Sequence, residues 1–218
     1  MARATRLEVP TAKGAGELVL ERPAGTVRGV LLLGHGAGGG VDAPDLVAAR
    51  DAAVASGLLV ARFTQPYRVA GRRAPAPAAQ LDAAWLEAVR AVRGRRGLRR
   101  LPLVVGGRSS GARVACRTAL EAGAVGVVAL AFPEHPPGKP DRSRLGELDG
   151  AGVPALVVQG ERDPFGLPPA APSRRVVVVP GADHTLGRRG APVVAAELPA
   201  FLDEVLAPRD PEPAPRPA

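Results

Sequence analysis

Short apolar runs alternate along the chain with longer segments in which apolar residues recur at helical spacing. The runs have the length and the unbroken apolar character of strands that are buried on both faces. We predict strands over Glu17–Arg22, Arg28–Leu33, Leu58–Phe63, Leu101–Val105, Val125–Phe132, Val153–Gln159 and Arg175–Val179. Strands that alternate with helices predict a mostly parallel central sheet with helices on both faces, which is the α/β class.

The segments between these strands predict helices over Asp45–Ser56, Ala76–Val92, Ala112–Glu121 and Pro192–Leu206. One face of the second helix is apolar at 3.6-residue spacing and should be buried; it carries Leu81, Trp85, Ala88, Val89 and Val92. The proline- and arginine-rich stretch Arg68–Ala79 is expected to be an exposed loop leading into that helix.

Length and composition bound the remaining organisation. A chain of 218 residues can bury a substantial core, and we predict a single domain over 1–206 followed by a disordered proline-rich tail over 207–218. The single cysteine, Cys116, excludes an intrachain disulfide and should pack in the core. The first residues lack the apolar run of a secretory signal, and no run reaches the ~20 residues of a membrane span. A cytoplasmic location without a membrane partner is therefore expected.

The net charge of +8 comes almost entirely from arginine. The densest cluster comprises Arg90, Arg93, Arg95, Arg96, Arg99 and Arg100. Such a cluster could bind nucleic acid or polyphosphate, in which case binding would fall steeply with salt. Aromatic residues make up only 3% of the chain and do not interleave with these arginines. The favoured interpretation is a solvated helix end, so nucleic acid is not expected as a partner.

The most informative motif is Gly107-Arg108-Ser109-Ser110-Gly111. It follows a predicted strand and precedes a predicted helix, which is the setting of a nucleophile elbow. Glycines two positions before and after the serine allow the strand and helix to approach without a Cβ clash. Ser109 is therefore the candidate nucleophile.

A serine nucleophile needs a base and an acid, which follow it in the order Asp or Glu, then His. Of three histidines, only His184 lies after Ser109 with room for an acid strand between them. Asp163, in the loop after the strand Val153–Gln159, is the chosen acid. Glu161 and Asp183 are its rivals, although Asp183 is adjacent to His184 and is better suited to capping a turn.

The glycine-rich loop after Leu33 is the candidate oxyanion loop, because glycines let backbone N–H groups turn into a site. We predict oxyanion donors at the backbone of Ser110 and of Ala37, with Gly36 as the rival of Ala37. A structural glycine-rich turn is the alternative. His35 should brace this loop by hydrogen bonds. The loop lacks the ending of a phosphate-binding P-loop, and no His or Cys pair has ligand spacing, so neither a cofactor nor a metal is expected.

Several motifs together resemble the small α/β-hydrolases of the Tex/KANSL type, relatives of dienelactone hydrolase. They are Gly-Gly-Arg-Ser-Ser-Gly at 106–111, His-Gly-Ala-Gly-Gly at 35–39, Phe-Pro-x-His-Pro-Pro-Gly-Lys-Pro at 132–140, Gln-Gly-x-x-Asp-Pro-Phe-Gly at 159–166 and Gly-Ala-Asp-His at 181–184. The resemblance implies an α/β-hydrolase fold with Ser109, Asp163 and His184 as the triad. It also implies that His135 and Phe165 belong to loops around the site; together with His35 and Gly36 they are the candidates for substrate contact. A structural role in its proline-rich loop is the alternative for His135.

These observations predict a serine hydrolase that cleaves a small carboxylic ester or thioester. About twenty residues between Phe132 and Val153 are too few and too polar for a helical lid, so an open site is expected. The alternative is a non-catalytic interaction module that keeps the hydrolase scaffold. The sequence does not specify an oligomeric state.

Overall fold

Eight strands form one sheet in the order β1-β2-β4-β3-β5-β6-β7-β8 in a computed structural model that describes residues 4–208. Strand β2 is antiparallel to both of its neighbours, β1 and β4. All other neighbouring strands, from β4 to β8 across the sheet, are parallel to each other. The strands are β1 Thr5–Thr11, β2 Gly14–Glu21, β3 Gly29–Gly34, β4 Leu58–Thr64, β5 Leu103–Arg108, β6 Ala124–Leu130, β7 Ala155–Gly160 and β8 Arg174–Val179. The predicted mostly parallel sheet is confirmed.

Helices cover both faces of the sheet and divide the core into two apolar clusters. They are α1 Pro44–Ala55, α2 Pro66–Val69, α3 Ala78–Arg93, α4 Ser110–Thr118, α5 Leu145–Asp149 and α6 Gly187–Leu206. Buried residues of α3 and α4 pack on one face, and those of α1 and α6 on the other. The apolar positions predicted on α3 are all buried, and Trp85 packs edge-on against Phe63 with ring centroids 6.3 Å apart.

Strand β1 and the start of helix α6 differ from the sequence predictions for identifiable reasons. Strand β1 was not predicted: it is an edge strand in which only Val9 is buried, so it lacks a continuous apolar pattern. Helix α6 was predicted to begin at Pro192 but begins at Gly187, with that proline inside the helix. Its first turn, Gly-Arg-Arg-Gly, carries no apolar residue that would mark it as helical.

Over residues 4–208 no helical insertion domain follows the carboxyl ends of the parallel strands. Between β6 and β7 the only helix is the five-residue α5, so the structure has no lid domain over residues 4–208. None of the helices described combines the length and apolar character needed to cross a membrane. Of the predicted tail, residues 209–218 lie outside the described residues.

The arginine cluster at 90–100 lies between the end of α3 and the start of β5. Ser109 follows the opposite end of β5, so the length of that strand separates the cluster from the candidate nucleophile. Arg93 donates hydrogen bonds to the carbonyl oxygens of Arg99 and Gly123, which ties the turn after α3 to the turn before β6.

Candidate active site

Ser109 lies in a strained turn between β5 and α4. Its φ of 52° and ψ of −112° fall in a backbone region that side-chain-bearing residues rarely adopt, so surrounding contacts must hold it there. Its N–H donates to the Leu130 carbonyl at 2.9 Å, which anchors the turn to β6. A Cβ on Gly107 would lie 2.5 Å from the Gly34 carbonyl oxygen. The small residues of the elbow therefore permit β3, β5 and α4 to approach closely.

Gly111→Ala is expected to destabilise the fold at the upper end of the ~1–3 kcal/mol that overpacking usually costs. A Cβ at this position would come closer than 3.0 Å to backbone atoms of Gly34 and His35, which cannot rotate away as a side chain can. The denaturant midpoint of unfolding measures the effect. Gly146→Ala is the matched control, because nothing lies within 4 Å of the methyl group that alanine would add there. Equal stability of the two variants would contradict the close approach at the elbow.

Two consecutive hydrogen bonds join Ser109 to His184 and His184 to Asp163. Ser109 Oγ lies 2.9 Å from His184 Nε2, and His184 Nδ1 lies 2.8 Å from Asp163 Oδ2. Because an ionised carboxylate only accepts hydrogen bonds, Nδ1 carries the proton and Nε2 is free to accept one from the serine. This pattern of hydrogen bonds fits a triad of serine, histidine and orienting aspartate.

The carboxylate of Asp163 is fixed by two further donors. Its Oδ1 accepts the Phe165 N–H, and its Oδ2 accepts Gln159 Nε2, both at 2.8 Å. The side chain of Asp163 is fully shielded from solvent, whereas that of His184 is 18% exposed. Gln159, the polar residue near the end of buried strand β7, was not identified from sequence as part of the site.

The two rival acids are engaged elsewhere. Asp183 Oδ1 accepts hydrogen bonds from the N–H and hydroxyl of Thr185, and these lower the pKa of the Asp183 carboxyl. Glu161 Oε2 accepts the Gly181 N–H at 2.7 Å. Both carboxylates therefore stabilise the turn that carries His184 without contacting its imidazole.

The loop after β3 is held by hydrogen bonds on its buried side. His35 is 2% exposed; its Nε2 accepts the Gln65 N–H, so its Nδ1–H donates to the Gly36 carbonyl at 2.8 Å. Burial lowers the pKa of His35, the bond to Gly36 opposes that effect, and the imidazole stays neutral. Tyr67 donates its hydroxyl to the Ala37 carbonyl. His35 thus supports the loop from behind.

Arg108, the residue before the nucleophile, links the elbow to the histidine loop. Its Nε donates to Asp45 Oδ2 and its Nη2 donates to the His184 carbonyl, both at 2.8 Å. Asp45 is buried at the start of α1, and burial raises its pKa against the lowering effect of the Arg108 guanidinium. This ion pair holds the backbone of His184 in place and could not be foreseen from the spacing of the residues.

A cleft of about 670 Å³ lies over Ser109 and His184. Of the predicted substrate contacts, Gly36 and Phe165 line it, and Phe165 packs edge-on against the imidazole of His184 with centroids 4.4 Å apart. His35 lies behind the loop, and His135 turns its Nδ1 toward the Pro136 carbonyl. The walls also include Arg108 of the elbow and Pro133 and Pro137 of the 132–140 motif. Pro75, Arg113 and Arg144 line the cleft as well and were not identified from the sequence.

Side chains suited to other chemistry are few in the described chain. Over residues 4–208 no three His, Cys, Asp or Glu side chains cluster as metal ligands would. Cys116 is fully buried in α4, and burial raises the pKa of its thiol to about 12, so it is not a reactive nucleophile.

An elbow serine at the carboxyl end of β5, hydrogen-bonded to a histidine after β8 and through it to an aspartate after β7, defines the class of α/β hydrolases. A family model described as an alpha/beta hydrolase domain matches residues 27–195, and the chain belongs to this family. It is a small member, and residues 4–208 contain no lid domain. The Tex/KANSL subtype stays a prediction.

Several solved structures share this fold. Dienelactone hydrolase from Anabaena variabilis is 19% identical, with 93% of this chain and 98% of that chain covered and a TM-score of 0.73. A serine hydrolase without a lid from Xanthomonas campestris is 20% identical, with coverages of 96% and 97% and a TM-score of 0.69. Est1E from Butyrivibrio proteoclasticus is 14% identical, with coverages of 93% and 99% and a TM-score of 0.74. No curated protein matches the chain.

Proposed function

We propose that the protein is a serine hydrolase that cleaves a small carboxylic ester or thioester through an acyl-enzyme on Ser109. The observation that carries the proposal is the pair of hydrogen bonds from Ser109 through His184 to Asp163, at 2.9 and 2.8 Å. Solved structures of the same fold include proteins named as serine hydrolases and an esterase, which supports the same class of reaction.

In the proposed reaction, His184 Nε2 accepts the Ser109 proton as Oγ attacks the carbonyl carbon of the substrate. Collapse of the tetrahedral intermediate breaks the bond to the alcohol or thiol, which leaves with the proton from His184. Water then attacks the acyl-enzyme and gives a proton to His184. Collapse of the second tetrahedral intermediate breaks its bond to Ser109 Oγ, which takes that proton back as the acid is released. Asp163 orients the imidazole and stabilises its protonated form throughout.

Backbone N–H groups at Ser110 and Ala37 are proposed to bind the oxyanion. Over residues 4–208 neither group has a protein hydrogen-bond acceptor, and both residues line the cleft. The Gly36 carbonyl accepts hydrogen bonds from the buried imidazole of His35 and from the Gly39 N–H. Since carbonyl and N–H point in opposite directions across a trans peptide, this favours Ala37 over Gly36 as the second donor.

A fluorophosphonate tests the proposal because it reacts only with an activated serine. We expect one adduct per chain, and fragmentation of the peptide Ser109–Arg113 should locate it on Ser109. Ser110→Ala is the matched control; it keeps the backbone N–H and should be labelled like the parent. A folded protein that takes no label, or takes it elsewhere, would contradict the proposal and favour a non-catalytic interaction module.

A further inference from the structure

The cleft over Ser109 has a one-sided charge. Three arginines, Arg108, Arg113 and Arg144, contribute to its walls. Among residues 4–208 neither aspartate nor glutamate lines it, and the remaining wall is formed by glycine, alanine, proline, serine, phenylalanine and the imidazole of His184. A low-dielectric cleft lined by one sign of charge attracts ligands of the opposite sign. A guanidinium that is not paired with a carboxylate of the protein is therefore available to bind an anionic ligand.

Two of the three arginines are paired with carboxylates. Arg108 donates to Asp45 at 2.8 Å. Arg113 donates to Glu147 through Nε and Nη2, which leaves its Nη1 outside that pair. Glu147 also accepts Nη1 of Arg117 at 3.1 Å, but Arg117 has its own partner in Asp82 at 2.6 Å. The charges of Arg108 and Arg113 are therefore both balanced by carboxylates of the protein.

Arg144 is the guanidinium without a counter-charge. No ion pair among residues 4–208 includes it, and its side chain makes one long hydrogen bond, from Nη1 to the His135 carbonyl at 3.4 Å. Its backbone N–H donates to the Glu134 carbonyl, which holds it beside the 133–137 loop. Burial lowers the pKa of Arg144 and the nearby charge of Arg113 lowers it further, while the Glu147 carboxylate opposes both effects without contacting Arg144. A bound anion would relieve both effects.

We propose that the cleft takes an anionic substrate: an ester or thioester that carries a carboxylate, which Arg144 binds with Arg113 beside it. The inference rests on the proposed function and names the substrate class of the same site. A planar guanidinium binds a carboxylate through two parallel hydrogen bonds, and such charge-assisted bonds are stronger than neutral ones. The unpaired Arg144 supplies the charge, and Ser109 lies on the floor of the same cleft.

Three thioesters of matched length test the proposal. The adipoyl thioester of N-acetylcysteamine carries the anion on the acyl side, the hexanoyl thioester of 3-mercaptopropionate carries it on the thiol side, and hexanoyl-N-acetylcysteamine is neutral. A thiol reagent follows release of each thiol. We expect kcat/KM of the parent protein for one of the anionic thioesters to exceed that for the neutral one by about 10–100-fold, as charge-assisted hydrogen bonds allow.

Arg144→Gln should remove that preference, because kcat/KM for the preferred anionic thioester should fall to about the value for the neutral one once the charge-assisted hydrogen bonds are lost. Arg142→Gln changes an exposed arginine two residues away and should retain the preference. Equal rates with all three thioesters, or a preference that survives Arg144→Gln, would overturn the proposal.

Binding can be measured separately from catalysis in the Ser109→Ala protein. The preferred anionic thioester should raise its melting temperature more than the neutral one does, and Arg144→Gln should abolish the difference. If this shift is seen but the parent protein takes no phosphonate label and releases no thiol, the anion site stands and the proposed hydrolysis is wrong. If the parent is labelled and hydrolyses all three thioesters equally, and neither anionic thioester raises the melting temperature more than the neutral one, the proposed hydrolysis stands and the anion site is wrong.

Discussion

Ser109→Ala is expected to lower kcat/KM for a thioester or activated ester by about 10⁵–10⁶-fold, the loss seen when the nucleophile of a catalytic triad is removed. The hydroxyl at the elbow is the group that His184 Nε2 contacts, at 2.9 Å, and alanine leaves that nitrogen without a nucleophile to activate. Steady-state hydrolysis of 4-nitrophenyl butyrate measures the effect, with circular dichroism showing that the variant is folded.

The neighbouring serine gives a close control for this experiment. Ser110→Ala removes a hydroxyl from the first residue of α4 but keeps the N–H that is proposed to bind the oxyanion. Its kcat/KM should stay within about twofold of the parent value. Retention of more than about one percent of the parent activity by Ser109→Ala would be inconsistent with acyl transfer to this serine, given the losses seen in other triads.

Asp163→Ala is expected to lower kcat by about 10⁴-fold. The variant removes the acceptor that fixes the Nδ1–H of His184, so the ring can adopt the other tautomer, in which Nε2 carries a proton and cannot accept one from Ser109. It also leaves Gln159 Nε2 and the Phe165 N–H without their carboxylate acceptor. A loss of stability of about 1–3 kcal/mol should accompany the kinetic loss.

Substitution of two other carboxylates shows whether the loss in Asp163→Ala is specific to Asp163 or follows from removing any negative charge near His184. Asp183→Ala and Glu161→Ala remove acids of the same turn that contact Thr185 and Gly181 instead of the imidazole. Both variants should keep kcat within about fivefold, because they weaken exposed hydrogen bonds worth about 1 kcal/mol each. A kcat for Asp183→Ala as low as that for Asp163→Ala would identify the wrong acid.

The features that local sequence determines were predictable. The strand–elbow–helix pattern around Ser109 follows from residues within one short segment, and the order of acid and histidine follows from the order of the strands. Neither α2 nor α5 was predicted, because helices of four and five residues show too few apolar positions to reveal a period. The same limit applies to the start of α6.

The parts of the site that depend on distant contacts were not predictable. Arg108 meets Asp45 across 63 positions and the His184 carbonyl across 76. Arg144 reaches the cleft only because the 133–137 loop folds back beside Ser109. Nothing in the spacing of these residues distinguishes them from the many other arginines of the chain. Their roles arise from which loops the parallel sheet brings to one edge.

The link from Asp45 through Arg108 to His184 sets a minimum length for any shortened form of the protein. The turn that carries His184 runs directly into α6, and the apolar residues of α6 pack in the same cluster as those of α1, where Asp45 lies. His184 is thus held through Arg108 by Asp45 of α1 and through the backbone by α6, and these two helices pack against each other. A truncation that ends before Leu206 would loosen the His184 turn along with the core, so the last helix is needed to hold the proposed active site together.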